Sequence, residues 1–442
     1  MNGPGPAAPY RFKSDVYIDG LPPGHNLTRK RNPAGQNRDL VAKSALLNQP
    51  RTDVMDIHAT LPGKGRDLRL DLFRGIANWA IFLDHIPNNA INWVTTRNYG
   101  FSDAADLFVF ISGYTASFVY AKMMIERGFI VGSTRLLKRV WQLYVAHVLL
   151  FVIYIAAIGW VALRYSDPEI IHEFNIAGLV DSPIQTITQG LLLRFKPLNL
   201  DVLPLYIVLM GFFPPVLWLL LRRPNLTMLG SLALYVAARH YGWNLSGYPT
   251  GVWYFNPFCW QVLFVFGAWY ALGGARESRS LIWSRTMPVI GIGYLVFAMV
   301  MTLAGRFPDF GALFPAWLVD AFNPNDKTNL APYRVLHFVV IAFLVTRFVR
   351  KDWPGLQSPW LDPLIKCGQQ SLQVFCVGIF LSFVGHFALM MSSGSLLAQL
   401  GVSLGGLAIL TAVAYYGNWS KKQDKPARPQ PPSAPQSSAA NA

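Results

Sequence analysis

Long apolar segments recur along this chain from residue 70 to residue 416, and they restrict its fold more than any other feature. A helix needs about 20 mostly apolar residues to cross a hydrocarbon core about 30 Å thick. Hydrophobic residues make up 52% of the 442 residues and charged residues only 14%, more apolar content than a water-soluble core requires. The sequence therefore predicts an all-α, polytopic integral membrane protein built as a transmembrane helix bundle.

We predict about ten transmembrane helices within this region. They cover residues 70–95, 103–122, 139–163, 201–221, 226–242, 258–274, 287–305, 332–349, 367–391 and 395–416. The flanking residues 1–66 and 419–442 are rich in Pro and polar residues, and they cannot bury enough apolar surface to become ordered. We therefore expect a transmembrane domain over residues 67–418 between two disordered tails.

Basic residues collect in every second predicted loop, which indicates how the chain is oriented. These residues are Arg66 and Arg69, then Lys122, Arg127, Arg135, Lys138 and Arg139, then Arg222 and Arg223, then Arg276, Arg279 and Arg285, then Arg347, Arg350 and Lys351, and finally Lys421, Lys422 and Lys425. Lys and Arg beside membrane spans are retained in the cytoplasm. Both tails are therefore predicted to be cytoplasmic.

Charge and cysteine content argue against two classes of function. The net charge of +15 is explained by this topology and by contact with anionic lipids, so nucleic acid is a poor candidate partner. Cys259, Cys367 and Cys376 lie in or beside apolar spans without metal-ligand spacing. They predict neither a disulfide framework nor a metal site.

The first predicted span, "LDLFRGIANWAIFLDHIPNN", carries ionisable side chains along one face. Arg74 and His85 are eleven residues apart, and a rotation of 100° per residue returns them to nearly the same face, about 16 Å apart. Because ionisable groups are costly against lipid, this stripe must face protein or water, which makes it a candidate functional site. An interfacial Asp71–Arg74 ion pair and a structural histidine are the alternatives.

A second motif, "FSDAADLFVFISGYTASFVYAK", opens the next span with two acids. Asp103 and Asp106 fall in the first helical turn, where carboxylates cap free N–H groups and complement the helix dipole. Ser112 and Gly113 permit close helix packing within a membrane. Each of these features has a structural explanation when it is taken alone.

A third motif, "STRLLKRVWQLYVAHV", places three cations before the third span. Arg135, Lys138 and Arg139 fit anchoring by the positive-inside rule. Three cations within about one helical turn also suit a polyanionic ligand such as a phosphate-bearing cofactor. The position of the motif leaves both interpretations open.

Together the motifs resemble those of a known family. "RDLRLDLFRGIANWAIFLDHI", "GFSDAADLFVFISGYTASFVY" and "NPFCWQVLFVFGAW" closely resemble the OpgC proteins, membrane acyltransferases associated with succinylation of osmoregulated periplasmic glucans. The resemblance covers essentially the entire membrane region. More distantly, the Arg74-to-His85 spacing, "LFVFISGY" and "RLLKR" are similar to motifs of the type-three membrane acyltransferases, although "RVWQLY" lacks the proline that those enzymes often carry there. "RLDLFRG" is also similar to the heparan-glucosaminide acetyltransferase relatives.

The resemblance implies an acyltransferase domain in the bacterial inner membrane. Acyl-CoA, with succinyl-CoA as the first candidate, would bind from the cytoplasm as a substrate, with no permanently bound cofactor, and its acyl group would pass to a periplasmic glucan hydroxyl. His85 would act as general base. Asp84, Asp103 or Asp106 would orient its imidazole ring, and Arg74 would stabilise the CoA end or hold the first helix in register.

The resemblance also implies two binding surfaces. The cluster of Arg135, Lys138 and Arg139 would contact the nucleotide phosphates of CoA. Trp253, Tyr254 and Trp260 would offer apolar faces to the glucan, with an interfacial aromatic belt as the equal alternative.

A transporter or flippase is the competing hypothesis, because polar groups inside a bundle also mark substrate pathways. Transporters commonly consist of two similar halves, and the second half has no counterpart of the Asp84–His85 pair. The enzyme is therefore preferred. The acyl group, the acceptor and the oligomeric state are left open.

The alternation of basic loops generates a topology prediction. Alkaline phosphatase fused at Lys422 should be inactive, because the enzyme folds only in the periplasm and the C-terminus is predicted to be cytoplasmic. An active fusion would contradict the orientation and the side of the membrane inferred for every motif.

Overall fold

The computed structural model describes residues 59–60, 66–165 and 169–424. The predicted disorder of the two tails concerns residues that lie almost entirely outside these ranges. Within them the chain is helical, with an isolated antiparallel bridge between Ser246 and Val252 as its only β-type pairing. The final helix continues to Gln423, so it passes the predicted domain boundary at residue 418.

The helices α1–α19 follow one another in chain order. They are α1 Leu68–Asp84, α2 Ala104–Arg127, α3 Phe129–Tyr165, α4 Glu169–Glu173, α5 Gly178–Asp181, α6 Pro183–Leu191, α7 Val202–Gly211, α8 Phe213–Arg222, α9 Pro224–Tyr241, α10 Pro257–Trp269, α11 Ala275–Glu277, α12 Arg279–Ile282, α13 Met287–Arg306, α14 Pro308–Gly311, α15 Ala316–Asp320, α16 Pro332–Phe348, α17 Asp362–Gln369, α18 Ser371–Met391 and α19 Leu396–Gln423. A π-helical turn, Tyr270–Gly274, joins α10 to α11, and short 3-10 turns cover Ala90–Val94, Thr96–Asn98 and Pro354–Gln357.

Each of the ten predicted spans contains a helix, but not every helix has the length or apolar content of a membrane span. Among the described residues, six helical stretches qualify, namely Ala104–Arg127, Phe129–Tyr165, Pro257–Glu277, Met287–Arg306, Ser371–Met391 and Leu396–Gln423. The pair α7 and α8, bent by 54°, makes a seventh if it is one span. Helices α1 and α16 have only 17 residues each, and α9 carries Asn225, Arg239 and His240. The chain is therefore a helical membrane protein, and the number ten remains a prediction.

Close helix packing positions the second motif. A Cβ atom at Gly113 on α2 would overlap the backbone carbonyl of Phe264 on α10, and one at Gly267 would overlap that of Phe110. Small residues allow helix backbones to approach closely within a membrane. The predicted packing role of Gly113 is therefore confirmed, and this contact fixes α2 against α10.

Helix α1 is fixed by polar contacts at its N-terminal end. Asp71 is paired with Arg66, whose Nε lies 2.5 Å from the carboxylate, and the expected Asp71–Arg74 ion pair is not formed. Arg74 instead faces α2, where it donates to the hydroxyl of Thr115 and to the carbonyl of Ile111. The alternative was wrong because Asp71 faces back toward the residues that precede the helix.

The Gly113 contact leads to a stability prediction. Gly113→Ala should lower the free energy of unfolding by about 1–3 kcal/mol, because the added methyl group has no space against Phe264. Gly159→Ala is the matched control, since no atom lies within 4 Å of its Cβ position and alanine is the better helix former. Thermal unfolding of both variants in detergent measures the difference. Equal midpoints would show that α2 and α10 are not packed this closely.

Candidate functional site

Helix α1 ends at a cavity of about 700 Å³, which we call the His85 cavity. Its acidic, basic and histidine lining residues are Asp84, His85, Arg97, Asp103, Asp201, Arg306, Lys327 and Arg334. Three predicted catalytic residues, Asp84, His85 and Asp103, therefore share one cavity although they come from two separate motifs. A cavity of this size, with converging polar groups, is the usual form of a small-molecule binding site.

The imidazole of His85 is held in one tautomer by the backbone. His85 caps the C-terminus of α1, and its Nδ1 lies 2.6 Å from the carbonyl oxygen of Ile81. A carbonyl oxygen can only accept a hydrogen bond, so Nδ1 carries the proton and Nε2 keeps its lone pair. Among the described residues nothing hydrogen-bonds to Nε2. The ring can therefore accept a proton at Nε2.

The carboxylates that were expected to orient His85 have other partners. Asp84 accepts a 2.6 Å hydrogen bond from the Thr95 hydroxyl, and Asp103 accepts one of 2.6 Å from the ammonium group of Lys327. Neighbouring helical side chains point about 100° apart, which directs Asp84 away from the imidazole. The expected carboxylate–histidine pair is therefore absent from the described residues, and the Ile81 carbonyl takes its place.

Asp103 and Asp106 hold the start of α2 by two kinds of contact. They form a capping box, in which the Asp103 carboxylate accepts from the amide of Ala105 and the Asp106 carboxylate accepts from the amide of Asp103. The guanidinium of Arg334 pairs with Asp106 at 2.5 Å and with Asp103 at 2.9 Å. Asp106 is fully buried behind the cavity, where it contacts Arg334 rather than any ligand space.

The sequence motifs did not identify Lys327 or Arg334 as site residues, although the sequence does contain an indication for Arg334. Arg334 lies near the start of an otherwise apolar segment, and a charge in such a segment is by itself a sign of a buried partner or a site. Lys327 lies in a polar loop whose sequence gives no comparable indication.

Asp201 is another lining residue that the sequence analysis did not identify. It directly precedes α7, and its side chain makes no capping hydrogen bond. Among the described residues its carboxylate has neither a hydrogen-bond donor nor an ion-pair partner. Nearby, the ammonium of Lys196 lies 3.8 Å from the centroid of the Trp253 ring. Burial lowers the pKa of Lys196 to about 8, and the negative charge of Asp201 offsets part of this effect.

A second, smaller cavity of about 200 Å³ lies beside Arg74, and we call it the Arg74 cavity. Its cationic lining residues are Arg74, Arg139 and Lys421. The first residues of α18, Ser371 to Gln373, also line it. The N-terminal amides of a helix favour anions, as do the three cations.

Only one member of the predicted phosphate-binding cluster reaches this cavity. Arg139 lines it, whereas Arg135 and Lys138 are exposed on the surface of α3 and line neither cavity. Lys421 is the cation that sequence reasoning missed here, because it lies at the far end of the chain on α19. Its ammonium donates a 2.6 Å hydrogen bond to the side-chain carbonyl of Gln370.

The three predicted sugar-binding aromatic residues have different environments. Trp260 is 0% exposed and donates from Nε1 to the carbonyl of Lys327 at 3.0 Å. Trp253 is only 4% exposed, and Lys196 covers its ring. Neither tryptophan has a free face, so the expectation of a glucan stacked on them is wrong for both. Tyr254 is 49% exposed and lines the His85 cavity.

The family model described as OpgC protein matches residues 66–422. The match includes every residue that lines the two cavities. Searches of curated proteins and of solved structures found no match. The family suggested by the sequence motifs is thus confirmed over most of the chain: the protein belongs to the OpgC family.

Proposed function

We propose that the protein is a membrane O-acyltransferase that moves an acyl group from cytoplasmic acyl-CoA to a hydroxyl of a periplasmic glucan or another glycan. Family membership supports the general class, a membrane acyltransferase of glucan modification. Succinyl-CoA is the first candidate donor, on the resemblance described above. The family also favours a transferase over a transporter or flippase. The bacterial inner membrane, with both termini cytoplasmic, is the location that fits this reaction.

One observation carries the proposal: a single helix borders both cavities. Helix α1 contributes Arg74 to one cavity and His85 to the other, about 16 Å apart along its axis. Helix α7 does the same with neighbouring residues, since Val202 lines the His85 cavity and Leu203 lines the Arg74 cavity. A donor anchored in the Arg74 cavity can therefore direct its thioester toward His85 along a shared wall.

Charge supports the Arg74 cavity as the site for the CoA phosphates. Arg139 and Lys421 are suited to phosphate oxygens, and the first amides of α18 add further donors. Arg74 is also tied to α2 through Thr115, so it serves both to hold α1 in register and to present a cation to the donor.

The His85 imidazole supplies the proton transfers. Nε2 takes the proton of the acceptor hydroxyl as its oxygen attacks the thioester carbonyl, and a tetrahedral oxyanion forms. The ammonium of Lys327, which lines the same cavity, stabilises the negative charge. When the carbon–sulfur bond breaks, CoA leaves as a thiolate, and the imidazolium returns the proton to sulfur. The products are an ester and CoA thiol.

His85→Asn should reduce kcat for acyl transfer by about 10²–10⁴-fold, because asparagine keeps a polar group but cannot relay a proton. The readout is transfer of labelled succinyl from succinyl-CoA to a glucan by the purified protein. His240→Asn is the matched control, since His240 is exposed at the end of α9 and lines neither cavity. A His85→Asn protein with near wild-type turnover would show that the histidine is structural.

Neutralising the Arg74 cavity should weaken donor binding. Arg139→Gln combined with Lys421→Gln should raise the KM for succinyl-CoA at least about tenfold, since each charge-assisted contact contributes about 1.5–3 kcal/mol. The matched control is Arg135→Gln combined with Lys138→Gln, which removes the same charge from the exposed face of α3. If the control raises KM equally, the phosphates bind along the wider "RLLKR" surface and not in this cavity.

A further inference from the structure

Asp201 differs from the other carboxylates in and beside the His85 cavity. Asp84 is bonded to Thr95, Asp103 to Lys327 and Arg334, and Asp106 to Arg334. The contacts of those three carboxylates hold loops and helices together. The Asp201 carboxylate has no such contact among the described residues, yet it lines the same cavity as the free Nε2 of His85.

The nearest cations do not neutralise Asp201 by direct contact. Lys327 is paired with Asp103 at 2.6 Å, and Lys196 lies over the Trp253 ring. Both lysines leave the oxygens of Asp201 free to accept hydrogen bonds from a molecule in the cavity.

The fold does not need this carboxylate for local structure. Asp is a strong N-cap residue, but the side chain of Asp201 makes no hydrogen bond to the first turn of α7. A carboxylate held in a membrane protein without a partner is unfavourable, so a ligand is a better explanation for it than stability.

The chemistry of the group defines the ligand. An ionised carboxylate only accepts hydrogen bonds, which matches the hydroxyl donors of a sugar. Tyr254, which is exposed and lines the same cavity, offers an aromatic face to the apolar side of a pyranose ring.

We propose that Asp201 binds the acceptor sugar, accepting a hydrogen bond from the hydroxyl next to the one that is acylated. This contact directs the neighbouring hydroxyl toward Nε2 of His85. The acceptor is then a pyranose that carries two adjacent free hydroxyls. The inference rests on the proposed function for the reaction itself, but sugar binding can be measured without it.

Binding and transfer are tested separately with the full-length protein in detergent. Methyl β-D-glucopyranoside and its monodeoxy derivatives are the probes, and ligand-observed NMR measures their binding in the absence of donor. Asp201→Asn should weaken binding of the glucoside about tenfold, the loss expected for one charge-assisted hydrogen bond. Asp181→Asn, an exposed acid that lines neither cavity, should bind like the wild type.

Transfer from succinyl-CoA should show a matching loss in kcat/KM for the glucoside, with the KM for succinyl-CoA unchanged. One monodeoxy glucoside should bind the wild type and Asp201→Asn equally weakly, because it lacks the hydroxyl that Asp201 contacts. The effects of Asp201→Asn and of removing that hydroxyl are then non-additive, as expected for two groups in direct contact.

Each outcome of these measurements supports or contradicts the contact between Asp201 and the sugar. Unchanged glucoside binding by Asp201→Asn would overturn the proposal, even if transfer falls, and so would a wild type that binds no glucoside. A wild type whose glucoside binding depends on Asp201, but which transfers nothing from acyl-CoA, would contradict the proposed function and leave the sugar contact standing. A rise in the KM for succinyl-CoA would mean that Asp201 acts on the donor, which also contradicts the proposal.

Discussion

The ion pairs of Arg334 hold the site together. The guanidinium lies 2.5 Å from Asp106 and 2.9 Å from Asp103, and it also donates to the carbonyl of Phe101 at 2.8 Å. These contacts join the first turn of α2 to α16, which lies far along the chain. Buried charges are tolerable only when they are paired and hydrogen-bonded, as here. Since Asp103 also contacts Lys327, the same network sets the position of the cation that faces the cavity.

The sequence predicted best those features of the site that depend on residues close together in the chain. Whether Arg74 and His85 lie on one face depends only on helical rotation, so this could be predicted from their spacing. In the structure the two residues line two cavities that both border α1. The partners of Asp103 and Asp106 could not be predicted, because a pairing across more than 200 residues leaves no periodic pattern. Asp201 was missed for a different reason, because an acid directly before a helix is normally interpreted as an N-cap.

The aromatic residues show a different limit of sequence reasoning. Trp253, Tyr254 and Trp260 are close in sequence and chemically alike, yet only Tyr254 reaches the cavity. Whether an aromatic ring faces lipid, protein or a ligand depends on tertiary packing. The predicted phosphate-binding cluster shows a similar limit. Arg139 lines its cavity together with Lys421, a residue of the last helix, and tertiary packing brings the two together.

The hydrogen bond from Nδ1 of His85 to the carbonyl of Ile81 has a consequence for the direction of proton movement. Because that edge of the ring is occupied, Nε2 must both receive the proton and release it. In the proposed reaction the proton arrives from a sugar hydroxyl on the periplasmic side and leaves on the sulfur of CoA, which returns to the cytoplasm. In that reaction each turnover therefore exports one acyl group and imports one hydrogen atom bound to sulfur, and no net proton is taken up or released on either side.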